Sequence, residues 1–366
     1  MYGRYHHTWA VKFVNYTSKV ATRLLICLFR LAIRGNHRST TMACKQNTPP
    51  LMLILYACCV SSALMTNTVH AENNSLEIEF QELEKGVFIR YGRHEVLTAD
   101  TVADIANHGF IVGENSVAII DPGGTVDIAR STINAVKKIT SLPVSHVIVT
   151  HVHPDHSLGL AAFASVDTDV KPVILGHSKL AAALAQNLEF FRQHFAFDNT
   201  TEQLLALIDA GDIKPVDTER TFDLGSRKIT VTSYDKAHSN TDVSVYDHAS
   251  KTLWAGDLLF VERAPAIDGS VLGWLEVLSQ LNQLDIGTVI PGHGPSGGYS
   301  ELVQPQINYL EFIVRQAREA IAQQVSLKEF IAEENSLLTS LRNNWRLFDE
   351  QHRLNLSRAY AELEWE

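Results

Sequence analysis

The order of segments along the chain predicts an α/β fold in which two sheets are covered by helices. Three observations carry this expectation. Strand-like segments fall into two groups, within residues 76–150 and 227–290, and amphipathic helical segments follow each group. At the end of the first group, Pro143–Thr150 is dense enough in Val and Ile to form a buried strand.

In chain order, Leu76–Phe80 alternates apolar and polar residues, and Val87–Tyr91 follows the turn residue Gly86. Gly109–Val112 and Val117–Ile120 flank Gly113 as a second pair of strands. The second of these runs into Asp121-Pro122-Gly123-Gly124, after which Thr125–Ile139 has helical periodicity. His177–Ala210 reads as helical, starting near His177, with Phe190, Phe191, Phe195 and Phe197 clustered in it. Strands return at Arg227–Tyr234, Val243–Tyr246 and Lys251–Ala255, then a helix near Leu272–Leu284 and a short strand at Thr288–Ile290. From Ser300 the pattern is helical, and Ser326-Leu327-Lys328-Glu329 fits a capping box. No internal repeat or low-complexity linker divides the body. Residues 72–299 therefore read as one large domain and 300–366 as a helical extension packed on it.

Charge and cysteine separate a leader from this body. Residues 1–71 hold eight Lys/Arg, no Asp or Glu, and all four cysteines, Cys27, Cys44, Cys58 and Cys59. Leu51–Met65 is almost wholly apolar, follows Lys45, and precedes Thr66–Ala71, with Val69 and Ala71 at the −3 and −1 positions of a cleavage before Glu72. That is the layout of a secretory signal, and it places the mature protein in a periplasm or outside the cell. The run of 15 residues is short of the roughly 20 that a membrane span needs. An uncleaved leader, its sole membrane attachment, and a lipoprotein at Cys58 are the alternatives; Tyr56 argues against the second. Met42 alone would begin a signal of normal length and is the expected true start; a transit peptide is the other reading of residues 1–41. The remaining residues, 72–366, carry 23 Lys/Arg against 41 Asp/Glu. A body of that charge is poorly suited to nucleic acid, and it has no thiol for a disulfide or a metal.

Twelve of the sixteen histidines lie in this acidic body, and four potential ligands fall in His151-Val152-His153-Pro154-Asp155-His156. Pro154 interrupts helical hydrogen bonding, so a helix face does not explain the spacing. On a tight loop, residues two apart can clasp one ion while Asp155 and His156 turn toward a second. His94, His108, His146, His177, His194, His248 and His352 lack such spacing and read as packing or surface residues. The four phenylalanines read as helix core, with a lid over the site as the alternative.

With this loop the sequence resembles the metallo-β-lactamase superfamily, and further motifs follow in order, each at a strand end. They are Asp121 before its Gly-Gly turn, Ala237-His238-Ser239-Asn240-Thr241-Asp242, Trp254-Ala255-Gly256-Asp257, and Pro291-Gly292-His293-Gly294. The resemblance implies a four-layer αββα sandwich and two Zn²⁺ per chain. It puts His151, His153 and His238 on one metal and Asp155, His156 and His293 on the other, with Asp257 bridging. Asp121 would accept a hydrogen bond behind the histidine loop rather than ligate. The chemistry implied is attack of hydroxide, generated at the metals, on the acyl carbonyl of a small-molecule thioester, lactone or β-lactam. Asp155 both ligates and orients that nucleophile.

A bridging Asp257 resembles glyoxalase II-type thioesterases and lactonases more than dedicated β-lactamases. The runs Asn107–Gly113, Gly256–Phe260 and Asp268–Leu275 are similar to a secreted subgroup, the quinoprotein relay system zinc metallohydrolases. That subgroup is associated with dehydrogenases using pyrroloquinoline quinone (PQQ), so association with such a system is expected. Three other readings stay open: a mononuclear iron enzyme like the persulfide dioxygenases, a metal-bound carrier without turnover, and a ribonuclease disfavoured by the acidic body.

Overall fold

The structure is a computed structural model that describes residues 78–102, 104–164, 171–195, 199–332 and 342–366. The leader with its cleavage site, the start at Met42, and Phe197 lie outside the described residues. None of the described helices is long and apolar enough to cross a membrane.

Seven strands form the first sheet in chain order: β1 (Gln81–Glu84), β2 (Val87–Arg90), β3 (His108–Val112), β4 (Val117–Ile120), β5 (Val144–Ile148), β6 (Val173–His177) and β7 (Ile213–Val216). The first four run antiparallel, and β4 to β7 run parallel. The second sheet has the order β12-β11-β10-β9-β8, from β8 (Glu219–Asp223), β9 (Lys228–Tyr234), β10 (Asp242–Asp247), β11 (Thr252–Phe260) and β12 (Thr288–His293). Its first four strands form an antiparallel meander, and β12 adds in parallel to β11.

Alternation along the strands sorts side chains into three apolar layers. Between the sheets, Ile111, Ala118, Ile120, Ile148 and Leu175 meet Ile229, Val231, Val243, Val245, Trp254 and Ile290. Their strand neighbours Phe110, Val117, Ile119, Val147 and Ile174 point the other way. There they pack on α1 (Val126–Ile139), the 3₁₀ turn Leu158–Ala164, α3 (Leu180–His194) and α4 (Thr200–Asp209); α2 (Pro154–Ser157) is one turn that starts the segment. Thr125 Oγ1 caps α1 by accepting from the Ile128 N–H at 3.2 Å. On the outer face of the second sheet lie α5 (Val271–Leu281), α6 (Tyr299–Ala322), α7 (Leu327–Ala332) and α8 (Phe348–Leu363). Helix, sheet, sheet, helix is the four-layer αββα order the resemblance implies.

Several local expectations need correction. Val173–His177 is a parallel strand, so His177 ends β6 and the helix starts at Leu180. The apolar pattern was shared by strand and helix; pairing with β5 and β7 decided the outcome. Of the expected strand Leu76–Phe80, residues 78–80 are not in a strand and the first described strand begins at Gln81; Leu76 and Glu77 lie outside the described residues. β7 and β8 were not anticipated, because they are short, largely polar and, in β7, contain Pro215. β11 does not stop at Ala255 but runs on to Phe260 through two irregularities in its pairing with β12, so Asp257 sits inside a bulged strand. The capping box is present, with Ser326 Oγ accepting from the Glu329 N–H at 3.3 Å and Glu329 Oε2 accepting from the Ser326 N–H at 3.1 Å.

At the C-terminal end of β10, a buried ion pair ties the two sheets. Asp247 accepts from Arg227 Nε at 3.2 Å and Nη2 at 2.5 Å, while Arg227 Nη1 donates to the Val112 carbonyl of the first sheet at 2.8 Å. Asp247→Ala would leave the Arg227 guanidinium buried without its counter-charge. The expected loss is about 3–5 kcal/mol of unfolding free energy, read from urea denaturation monitored by Trp fluorescence.

Candidate metal centre

Topology brings the histidine motifs to one edge of the sandwich. β4 and β5 are parallel, so Asp121 and the loop His151–His156 leave the first sheet at the same edge. β10 is antiparallel to β11, which places the segment before Asp242, with His238, beside the ends of β11 and β12 that carry Asp257 and His293. The Val243 N–H donates to the Thr150 carbonyl at 2.7 Å and joins the sheets there. Two glycines let the backbone close in. Gly256 has φ +52° with a Cβ position only 2.7 Å from Thr150 Cβ, and a Cβ on Gly292 would overlap Asp257 Oδ1.

All seven residues expected as ligands converge in two groups: His151, His153, His238 and Asp257, and Asp155, His156 and His293. In the first group His153 Nδ1 lies 3.1 Å from His151 Nε2 and 2.9 Å from His238 Nε2. Asp257 spans the groups. Its Oδ2 is 3.6 Å from His151 Nε2 and 3.4 Å from His238 Nε2, while its Oδ1 is 3.1 Å from His156 Nε2 and 3.4 Å from His293 Nε2. Asp155 Oδ2 lies 3.4 Å from His293 Nε2 and 3.7 Å from His156 Nε2.

The far nitrogen of every ring has its own acceptor. His238 Nδ1 donates to the Ala266 carbonyl at 2.6 Å, His293 Nδ1 to the Ile105 carbonyl at 2.7 Å, and His153 Nε2 to Asp268 Oδ2 at 3.2 Å. His156 Nδ1 donates to Asp121 Oδ2 at 2.8 Å. The Thr150 hydroxyl gives its one hydrogen to the same Oδ2 at 2.8 Å, so its oxygen accepts from His151 Nδ1 at 3.0 Å. These bonds assign the proton of each ring to its outer nitrogen. Five bare lone pairs therefore face inward toward two carboxylates, and no arrangement of neutral groups satisfies them. Among the described residues, His156 Nε2 and Asp257 Oδ1 are buried with no hydrogen-bond partner. Divalent cations fit this donor set: imidazole nitrogen and carboxylate oxygen suit Zn²⁺, and its outer hydrogen bonds are those that orient metal-binding histidines.

Electrostatics divide the rings, lowering His151 and His238 and raising His153 and His156. Burial, with His156 nearby, pushes His151 well below its ordinary value, and burial brings His238 down to about 4. Burial opposes the charge on Asp257, but His293, His156 and His151 outweigh it and hold the carboxyl well below the usual range. Burial also opposes protonation of His156, but Asp257, Asp155 and Asp121 override it and hold that ring well above its ordinary value, so the carboxylates around it favour positive charge at this place.

Asp121 lies behind the loop, where besides His156 Nδ1 it also accepts from the Thr150 N–H at 2.7 Å. It holds φ +51°, a left-handed conformation that an aspartate tolerates better than most residues. Of the other histidines, His146 stacks on Phe222 with centroids 3.8 Å apart, and His108 and His352 are buried away from the ligand groups. Phe191 and Phe195 are core residues, whereas Phe190 is half exposed and stacks on His194 at 4.2 Å.

Sequence reasoning missed the residues that hold the ligands from outside. Asn107 Nδ2 donates to the Pro291 and Gly294 carbonyls, both at 2.8 Å, and so fixes the turn around His293. Asp268 entered the sequence reading only as the start of the Asp268–Leu275 run, with no role at the ligands, yet it is the acceptor for His153 Nε2. Arg263, buried just past β11, lies beside the same ring, its Nη1 3.2 Å from His293 Nδ1, where it adds positive charge rather than a hydrogen bond because both nitrogens carry hydrogen. A buried asparagine beside a histidine strand was a usable signal only once the strand neighbours were known; Arg263 had none.

A model of the metallo-beta-lactamase superfamily matches residues 102–293, and the chain belongs to that superfamily. A linear primary-alkylsulfatase from a Pseudomonas species is 36% identical over 55 residues, 15% of this chain and 10% of that protein. An acyl-coenzyme A thioesterase, MBLAC2, of Gallus gallus is 24% identical over 187 residues, 44% of this chain and 61% of that protein. The matches thus span less than two thirds of either relative. Among solved structures, a metallo-beta-lactamase from Pontibacter korlensis superposes with a TM-score of 0.50 at 20% identity, covering 64% of this chain and 98% of its own. That likeness shows the shared fold.

Asp121→Ala removes the acceptor for His156 and the anchor for Thr150. Zinc affinity should fall about 10–100-fold, measured by competition with a chromophoric chelator.

Proposed function

We propose that this protein is an exported dinuclear zinc hydrolase that cleaves an acyl bond of the thioester, lactone or β-lactam kind. The observation that carries the proposal is Asp257, which turns one carboxylate oxygen toward each group of imidazoles. His151, His153 and His238 would hold one ion, Asp155, His156 and His293 the other, and Asp257 both. Two zinc ions in these positions would lower the pKa of a water between them to around 7 and polarise a substrate carbonyl.

The chain's own groups prepare that chemistry. Neutral imidazoles add no negative charge, so two carboxylates leave an excess of positive charge at the site despite the acidic body, and a polarised carbonyl or anionic group is favoured there. Asp155 turns Oδ2 toward His156 and His293, and among the described residues nothing hydrogen-bonds its Oδ1. That oxygen is available to accept a proton-side hydrogen bond from the attacking water and so to orient it. Burial of His151, His156 and His238 keeps bulk water from competing with substrate on the inner side.

An acyl bond is supported by the similarity to an acyl-coenzyme A thioesterase. The cysteine-free body supports a site of nitrogen and oxygen donors alone. Seven converging donors favour two ions over the single iron of a dioxygenase, which would leave Asp257 or the second group without a function. Export rests on the Leu51–Ala71 pattern, and association with a PQQ-dependent dehydrogenase system on the similarity of the 107–113 and 256–275 runs.

The test is metal analysis of the purified protein together with a screen of thioester, lactone and cephalosporin substrates. Two zinc ions per chain and saturable hydrolysis are expected. His151→Ala should lose bound metal and hydrolysis together, and Asp155→Ala should lower turnover by about a hundredfold or more. One iron per chain with oxygen uptake on glutathione persulfide would replace the hydrolase with a dioxygenase. Tight binding of a partner without any turnover would replace it with a carrier.

A further inference from the structure

The outer acceptors of two histidines in the first group come from one short loop, and that loop is held by the last helix of the chain. The Ala266 carbonyl takes the proton of His238 Nδ1, and Asp268 takes that of His153 Nε2. On either side of Ala266, the buried Asn355 of α8 grips the backbone: its Oδ1 accepts from the Ile267 N–H at 2.9 Å and its Nδ2 donates to the Pro265 carbonyl at 2.7 Å. Nδ2 also donates to Tyr309 Oη of α6 at 2.9 Å, so the amide uses its acceptor and both donors. One turn on, Arg358 Nη2 donates to Asp268 Oδ1 at 3.1 Å. A further turn on, Glu362 accepts from Ser270 Oγ at 2.5 Å and the Val271 N–H at 2.7 Å, fixing the start of α5. Residues 355, 358 and 362 lie on one face of α8, three and four positions apart.

We propose that Asn355 is a positioning residue of the metal centre: by fixing the Ala266 carbonyl it sets the orientation of His238 and thereby the affinity of the three-histidine site. This rests on the metal reading given above. Asn355 does the larger share, because it is buried and fully bonded, whereas the Arg358–Asp268 pair is partly exposed and weak by itself. The hydrogen bond from His238 orients the ring and raises the basicity of Nε2. A carbonyl free to swing would weaken both effects, although Asn355 touches no ligand.

The experiment titrates Zn²⁺ into the full chain against a chromophoric chelator, resolving two bound ions in the parent protein, with urea midpoints of the metal-free forms measured in parallel. Asn355→Leu keeps the volume and removes the three hydrogen bonds. One ion should weaken about 10–100-fold while the other keeps its affinity. Tyr309→Phe, which removes only the hydroxyl behind the amide, should weaken the same ion by about 2–10-fold, and it decides the matter if the first variant does not fold. Parental affinity for both ions in these variants would overturn the proposal. So would equal weakening of both ions in step with the urea midpoint, the mark of a role in stability alone. A parent protein that binds no zinc would instead overturn the metal reading beneath it.

Discussion

Five imidazoles and two carboxylates face one another at the edge of the sandwich, all of them buried except the partly exposed His153, and the molecule is arranged around that constraint. Each unsatisfied buried polar atom costs about 1–3 kcal/mol, and His156 Nε2 and Asp257 Oδ1 have no partner within the described protein. Among neutral rings no shift of a proton removes the cost, because every outer nitrogen already has an acceptor, from Thr150, Asp121, Ala266, Asp268 or the Ile105 carbonyl. Cations between the rings remove it. The arrangement therefore makes sense as a binding site and poorly as a packing solution.

Those outer acceptors explain why the site needs the whole sandwich. His156 and, through Thr150, His151 lean on Asp121 of the first sheet. His293, at the end of the second sheet, leans on the Ile105 carbonyl, and its turn is stitched to Asn107, both from the stretch before β3. His238 and His153 lean on the loop after β11, which α8 holds from the far side of the molecule. Each ligand group thus draws support from residues more than a hundred positions away in sequence or across the sheet interface. Separate halves of the chain could not form it.

Much of this was legible in the sequence, and the physical reasons differ by feature. A strand with Val and Ile on both faces, such as β4, is read easily because both faces are buried and nothing in the run is polar, and β5 is read from the buried Val147-Ile148 that ends it. The loop His151–His156 is equally plain, since four ligand-type side chains in six residues have few other uses. The order of the later motifs carried Asp257 and His293. β6 went unread, with only its last residue, His177, taken for the start of a helix, because an apolar run of five residues has no period long enough to choose. The residues that hold the ligands were hidden for another reason. Asn107, Asp268 and Asn355 are ordinary polar residues until tertiary structure sets them against a carbonyl or an imidazole, and the backbone carbonyls of Ile105 and Ala266 have no sequence signature at all.

The same hydrogen bonds that aim the imidazoles also join the two sheets and tie the last helix to the loop beneath it, so binding and folding share their interactions. In the metal-free protein these bonds must hold inward-facing lone pairs against one another, which lowers the stability of the native state relative to the unfolded chain, where each ring is hydrated. A cation that binds the native site and not the dispersed histidines adds its binding free energy to folding, by about 4 kcal/mol at a thousandfold excess over its dissociation constant. Any loosening of the outer acceptors is then felt twice, once in ligand orientation and once in the packing those acceptors maintain. Separating the two effects requires a position such as Asn355, which orients a ligand through a carbonyl without being a ligand itself.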